Sequence, residues 1–466
     1  MWLLPLAALA IAAAADGGTP ATLADRLDRV LNGVSNKADL ALVVADADTG
    51  TVLYHRYGAV PLKPASVQKL FVTAAALERF GPNFHFETRF YLSGDELWVV
   101  GGGDPGFGDE RLEHRCDRPL DRFWDDLVAA LRGRGLTRIN RVVIDDSVFD
   151  AEVRHPDWPA SQADRWYQAP VGGLNLNDNC LDATVLLRNG GVELKLRPDL
   201  PPATLDNLLR RGPKHRVVIR RPADSNVIQV TGTAAGGGAL DPVAVGDPTL
   251  FFAQALKQAL DRRGLPVQGD VVRRELSGTE LSSAASVATN RTSLPDVLWR
   301  CNTFSQNLFA ECVLKSLAAY DASGRRSGTP GSWEAGRSVL TATLAQLGID
   351  TTGAVLRDGS GLSHENAATA AQFVDLLLRM RRHAHADTFL QSLAEPGKLG
   401  SMQRRYDDAA LRGRLRGKTG TLAGVHTLAG YITTADGRTL AFALLINGPA
   451  SQELALRVCR VLATAP

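Results

Sequence analysis

The sequence predicts a mixed α/β (α+β) fold in which one α/β unit is split by a large β-rich insertion. Three observations predict it. A strand-type pair and an Ala-rich helical pattern stand together early in the chain. Short β-type runs between Gly, Pro and Asn/Asp turns fill the middle. Helical periodicity returns beyond Thr289 and closes on two strand patterns and a helix. Two outer parts of matching character around a different middle make one layered unit with an insertion. The length of 466 residues, 45% hydrophobic and 22% charged, suits two or three domains.

The elements follow in chain order. Residues 1–15 form an apolar Leu/Ala run ending in Ala13-Ala14-Ala15 before Asp16-Gly17-Gly18, the pattern of a secretory signal, although no Lys or Arg precedes it. The run is shorter than the roughly 20 residues of a membrane span, and no later charge-free segment reaches that length. The expectation is an exported protein of the periplasm or extracytoplasmic envelope with no integral membrane span. A polar helix is expected around Leu23 to Leu31. Apolar β-branched runs between Leu40 and Tyr54 flank Asp48-Thr49-Gly50 and predict a β-hairpin. Pro64 then opens an Ala-rich helix that runs to about Gly81-Pro82, with Ser66 and Lys69 in its first turns.

The insertion is placed at 86–288, in two parts, about 86–182 with 240–288, and 183–239. Its strand-type runs include Glu96 to Val100, Arg141 to Ile144, Ala183 to Leu187, Arg216 to Arg220 and Val227 to Thr231. Gly101-Gly102-Gly103-Asp104-Pro105 lacks the Gly-Lys-Ser/Thr of a phosphate loop and reads as a turn without a ligand. The split unit, 16–85 with 289–466, resumes with helical patterns at Leu294 to Tyr320, Trp333 to Leu347 and Ala370 to Arg381. Strands at Val425 to Thr433 and Thr439 to Ile446 and a helix at Gln452 to Ala463 complete it.

Composition removes several function classes. Fifty-two Lys and Arg against 50 Asp and Glu leave a formal charge of +2, with no global field for nucleic acid. Five cysteines are odd in number and lack CxxC or zinc spacing, so they read as buried apolar side chains. Cys301 and Cys312 are expected on one helix, too far apart to bridge. His383, His385 and Asp387 follow an Arg-rich helix end and read as a surface loop, so no metal is expected.

Three motifs carry chemistry. Ser66-x-x-Lys69 occurs once in the chain, at a helix start, where positions i and i+3 share a face and the amine can take the hydroxyl proton. Ser305-Gln306-Asn307 offers a hydroxyl to shuttle a proton and a carboxamide for a substrate amide, although Ser and Asn also favour helix caps. Lys418-Thr419-Gly420-Thr421, expected to open the Val425 to Thr433 strand region, presents a cation and two hydroxyls to a carboxylate, and its glycine admits a ligand backbone. A solvated turn is the bland alternative. Their order Ser-x-x-Lys, Ser-x-Asn, Lys-Thr-Gly resembles the motif set of serine acyl-enzymes of the penicillin-binding type.

The wider sequence resembles the D-alanyl-D-alanine carboxypeptidase/endopeptidase family, the class C low-molecular-mass penicillin-binding proteins. The resemblance includes Asp48-Thr49-Gly50, Pro64 to Lys69, Gly101 to Pro105, Asp145 to Phe149, Trp158-Pro159, Ala169-Pro170, Asp358 to Ser363 and Lys418 to Tyr431. The 239 positions between Ser66 and Ser305 also match that family, known for a large insertion there. The resemblance implies a β-lactamase/transpeptidase-like domain and a D,D-peptidase acting on peptidoglycan stem peptides, with β-lactams as covalent inhibitors and no cofactor. It implies Ser66 as nucleophile, Lys69 as base, Ser305 as proton relay, and Lys418, Thr419 and Thr421 for the terminal carboxylate. Asn307 would hold a substrate amide, and the backbone N–H groups of Ser66 and Thr421 would form the oxyanion hole. Lys69 must be neutral to act, and burial beside Lys418 is the expected cause. The chain departs from the family at Asn290, often His, and at His364, often Arg, so the third stem residue is left unnamed. A β-lactamase or esterase would share this machinery and differ in deacylation. A non-catalytic cell-wall binding protein would have no use for Ser66, Lys69, Ser305, Asn307, Lys418 and Thr421 together.

Overall fold

Asp39–Asp46 and Thr439–Asn447, from opposite ends of the chain, lie side by side in the computed structural model, which describes residues 21–32, 39–188, 191–222, 225–449 and 452–465. The expected signal at 1–15 lies outside the described residues. The sheet is antiparallel and five-stranded, ordered Leu415–Leu422, Val425–Thr433, Thr439–Asn447, Asp39–Asp46, Val52–Arg56. Both faces are covered, so the central strands are apolar at successive positions rather than alternating. Leu42, Val44, Phe442 and Leu444 face a layer that includes the Leu23–Leu31 and Gln452–Ala463 helices, while Ala41, Val43, Ala443 and Leu445 face the inner helices.

The innermost helix, Lys69–Phe80, is buried at every position from Lys69 to Leu77, which explains its apolar, Ala-rich composition. Around it pack Leu294–Thr303, Asn307–Ala319, Trp333–Gln346 and Ala370–Arg381. The helical pattern from Leu294 to Tyr320 is therefore two helices, broken at Phe304-Ser305-Gln306. Cys301 and Cys312 lie on different helices, correcting the single helix expected for them, and all five cysteines are free thiols.

The inserted stretch holds a second five-stranded sheet, ordered Val271–Arg273, Arg141–Asp145, Glu96–Gly101, His85–Ser93, Ala285–Ser293. Smaller strand groups occupy the residues between 180 and 244. The β-rich reading of this stretch missed helices at Glu110–Cys116, Leu120–Arg132 and Pro248–Arg262, two of them capped by Asp109 and Asp247. Leu120, Trp124, Leu127, Val128 and Leu131 have helical spacing and are buried with Phe90, Phe107 and Phe252 in one core. No helix among the described residues is long and apolar enough to cross a membrane. His383 contacts Glu78 through Nε2 at 2.8 Å, and its Nδ1 accepts the His385 N–H at 3.0 Å.

Candidate active site

Pro64 sets up the first functional turn. It is followed by Ala65 at φ +46, and Ala65–Gln68 form a 3₁₀ turn that passes into the Lys69–Phe80 helix. A left-handed alanine is strained and persists only where its surroundings fix it. Two glycines make that fit possible. A Cβ on Gly361 would overlap the Ala65 carbonyl. One on Gly420 would overlap Thr427 Oγ1 and lie 2.8 Å from the Pro64 oxygen and 3.0 Å from the Ser66 nitrogen. The turn is tied further by Thr427 Oγ1, which donates to the Pro64 carbonyl at 2.7 Å.

Lys69 is fully buried and points back along its helix. Its Nζ lies 2.9 Å from Ser66 Oγ, 2.7 Å from Asn307 Oδ1 and 2.7 Å from the Ser360 carbonyl. Ser305 occupies the break between helices at φ +63, and Gln306, rather than Ser305 or Asn307, caps the second helix. Asn307 Nδ2 donates to the Tyr167 carbonyl at 2.7 Å. Asn307 thus spans Lys69 and the inserted region, a positioning geometry that the sequence reading, which gave it only a substrate amide, did not anticipate.

Lys418 lies mid-strand in Leu415–Leu422, correcting the expectation that it opens the Val425 to Thr433 strand region. That strand is the sheet edge, and Gly417 exchanges both backbone bonds with Ala394 across it. Backbone direction alternates along an antiparallel strand, so the N–H and C=O groups of Thr419 and Thr421 face the same open side. Lys418 Nζ donates to Ser305 Oγ at 2.8 Å and to the Thr419 carbonyl at 2.6 Å, while Thr419 Oγ1 donates to Ser401 Oγ at 2.9 Å. Ser66, Ser305, Asn307, Thr419 and Thr421 all line one cavity of about 710 Å³.

Residues 23–462 match the D-Ala-D-Ala carboxypeptidase 3 (S13) family. The chain belongs to this family. It is 31% identical over 96% of its length to the D-alanyl-D-alanine carboxypeptidase of Actinomadura sp. (strain R39), covering 85% of that protein. It is 24% identical over 90% of its length to D-alanyl-D-alanine carboxypeptidase DacB of Haemophilus influenzae, covering 87% of it. Penicillin-binding protein 4 (dacB) of Haemophilus influenzae shares the fold, with a TM-score of 0.75 at 21% identity over 93% of this chain and 97% of that one. This S13 protein is a serine peptidase, a hydrolase of the penicillin-binding type.

Both lysines are shifted downward, the direction expected for Lys69. Burial brings the Lys69 amine down to about 8, against the opposing pull of Cys301, Glu311 and Asp358. Lys418 is likewise held well below the usual lysine range, by burial first and by its repulsion with Lys69 second.

Several residues of the site were given no role by the sequence reading. Glu311 is buried and accepts from Trp333 Nε1 at 2.8 Å, Gly359 N at 2.9 Å and Ser360 N at 2.7 Å, fixing the loop whose carbonyl meets Lys69. Asp358 accepts from Trp158 Nε1 at 2.9 Å, Gly361 N at 2.8 Å and Ser363 N at 2.7 Å. Arg405 lines the cavity and donates to Thr421 Oγ1 at 3.3 Å. The two departures separate here. His364 lines the cavity, whereas Asn290 pairs with Asp104 at 2.7 Å beside a different one, so Asn290 is removed from any reading of the stem subsite.

Proposed function

We propose that this peptidase cleaves the terminal D-Ala-D-Ala bond of peptidoglycan stem peptides, and the D-Ala-diamino acid bond of cross-links, through an ester on Ser66. One observation carries the reading: Ser66 and Ser305 line one cavity, each backed by a buried lysine, with Lys69 Nζ 2.9 Å from Ser66 Oγ and Lys418 Nζ 2.8 Å from Ser305 Oγ. The substrate carboxylate would lie beside Lys418, Thr419, Thr421 and Arg405. That anion favours charge on Lys418, and repulsion between the two buried cations then favours a neutral Lys69. Neutral Lys69 takes the Ser66 proton as Oγ bonds to the carbonyl carbon, with the oxyanion at the N–H groups of Ser66 and Thr421. The C–N bond breaks as Ser305 gives its proton to the leaving amine and regains one from Lys418. Water then attacks the ester, its proton passing through Ser305 to Lys418, and Ser66 leaves with the proton held by Lys69. The catalytic unit in this reading is 16–85 with 289–466, and 86–288 is the insertion.

Labelled penicillin is expected to form one adduct that Ser66→Ala abolishes, with D-alanine released from a stem pentapeptide by the parent. An adduct elsewhere, or no D-alanine from a folded sample, would sink the reading. A penicillin adduct that clears in seconds without D-alanine release would instead assign a β-lactamase. Digestion of intact, cross-linked peptidoglycan tests the endopeptidase half by the size of its products. Export rests on the 1–15 pattern and the cell-wall substrate, and N-terminal sequencing of the extracytoplasmic protein tests it.

A further inference from the structure

Between the inserted region and the Ser305 break stands a polar contact that the mechanism above does not use. Asn177, Asp178 and Asn179 are three consecutive non-glycine residues at positive φ, +49, +56 and +51. L-residues adopt this conformation singly, so a run of three requires outside support. The flanking asparagines supply it. Asn177 Nδ2 donates to the Cys180 carbonyl at 2.9 Å and to Asp182 at 2.8 Å, and Asn179 Nδ2 donates to the Pro170 carbonyl at 2.8 Å and to Asn175 Oδ1 at 2.6 Å.

The product of this turn is the placement of Asp178. Its Oδ2 accepts from Gln306 Nε2 at 2.7 Å and from Arg300 Nη2 at 2.9 Å. Gln306 caps the Asn307–Ala319 helix through its own Oε1, which accepts the Asn307 N–H at 3.0 Å. Arg300, 4% exposed, also donates to Asp109 at 2.7 Å, and its backbone carbonyl accepts the Gln306 N–H at 3.3 Å. Ser305 lies between these anchored residues in a conformation that a serine does not hold unaided.

We propose that Asp178 is a positioning residue for the proposed proton relay: by fixing Gln306 and Arg300 it holds Ser305 Oγ on Lys418, so that the inserted region sets the geometry of leaving-group protonation. The inference rests on the relay role given to Ser305. Neither the charge of Asp178 nor contact with substrate is required, only an oxygen that accepts from Gln306 and Arg300. Burial, and then Asp109, push the Asp178 carboxyl well above the usual range, which agrees with a role as acceptor rather than as anion.

The test uses the full chain, with D-alanine release from a stem pentapeptide and the rate of acylation by labelled penicillin as readouts. Asp178→Ala is expected to lower kcat and the acylation rate at least tenfold with KM within about threefold of the parent. Asp178→Asn, which keeps one carbonyl oxygen, is expected to recover most of the loss. Thermal unfolding is followed for each variant, because a merely structural residue would lower the folded fraction and leave kcat per folded molecule unchanged. Parent-like kcat in Asp178→Ala, a loss confined to KM or to folded fraction, or a loss that Asp178→Asn does not recover would overturn the inference. A parent that forms no penicillin adduct would overturn the proposed function and this role together, whereas an active parent with an indifferent Asp178→Ala overturns this role alone.

Discussion

A lysine can act as a base on Ser66 only when it has lost its proton, and the surroundings of Lys69 set where that happens. Its three contacts are oxygens, which suit an ammonium at rest, whereas full burial favours the neutral amine and brings it down to about 8. The neutral amine accumulates as pH rises through about 8. The second-order rate of penicillin acylation by free enzyme is therefore expected to fall about tenfold per pH unit on the acid side of that value, and to fall again at high pH as Lys418, the proton donor to Ser305, loses its charge. Stopped-flow acylation from pH 6 to 10 measures this, and a flat profile would remove Lys69 as the base. In the proposed reading, Arg405 would meet the carboxylate end of the substrate. A charge-assisted bond to a carboxylate contributes about 1.5–3 kcal/mol, so Arg405→Ala is expected to raise KM for an acid-ended peptide about 10- to 100-fold. The same variant should change KM little for the amide-ended peptide, and an equal effect on both would exclude a carboxylate contact.

At the scale of elements, the site is a junction of a turn, a helix break and an edge strand, and its tolerance is smallest where backbones touch. Gly420 lies on the strand against the Ser66 turn, 3.0 Å from the Ser66 nitrogen to where a Cβ would stand. Gly420→Ala must part the strand from that turn. The expected result is a folded protein with acylation slowed at least 100-fold, checked by labelling rate beside circular dichroism. Glu311 is the matching element on the loop side. Glu311→Ala leaves the N–H groups of Trp333, Gly359 and Ser360 without their acceptor, which costs about 1–3 kcal/mol for each group left unpaired, measured by denaturant unfolding, and frees the Ser360 carbonyl from Lys69. What could be read from sequence divides along the same line. The Ala370–Arg381 helix was legible to the residue because its Thr369/Gln372 capping box and apolar spacing are local. The break at Ser305 was not, since contacts from Asp178 and Lys418, far away in sequence, support it. The Leu415–Leu422 strand was hidden for a related reason: Arg416, Gly417, Lys418 and Gly420 have little strand character, and pairing with Val425–Thr433 makes the strand. Ser66, Lys69, Ser305, Asn307 and Lys418 stood out because they fall in contiguous motifs. Glu311, Tyr167 and Arg405 are single residues whose meaning exists only after folding.

For the whole molecule, the question is whether the inserted stretch is an appendage. Its contacts argue that it is not. Phe86, Val148, Phe149, Trp158 and Val171 are buried in the same apolar core as the helix carrying Lys69. Polar ties cross as well: Trp158 to Asp358 at 2.9 Å, Asn307 to the Tyr167 carbonyl at 2.7 Å, and the fully buried Lys315 Nζ to Asp150 at 2.7 Å and the Glu152 carbonyl at 2.6 Å. Removing the partners of a buried cation leaves an uncompensated charge, and breaking such a pair from one side costs about 3–5 kcal/mol. Exposing the retained core rings that the segment covers, such as Phe84 under Phe86 and Trp333 under Trp158, adds roughly 1.5–3 kcal/mol for each. Together these approach or exceed the 5–15 kcal/mol that holds a typical domain folded. A chain in which 86–288 is replaced by a short Gly-rich linker is therefore expected to lose cooperative unfolding and penicillin labelling together. Calorimetry with labelling of the same sample decides it: a shortened chain that unfolds cooperatively and still acylates at Ser66 would show that the catalytic unit stands without its insertion.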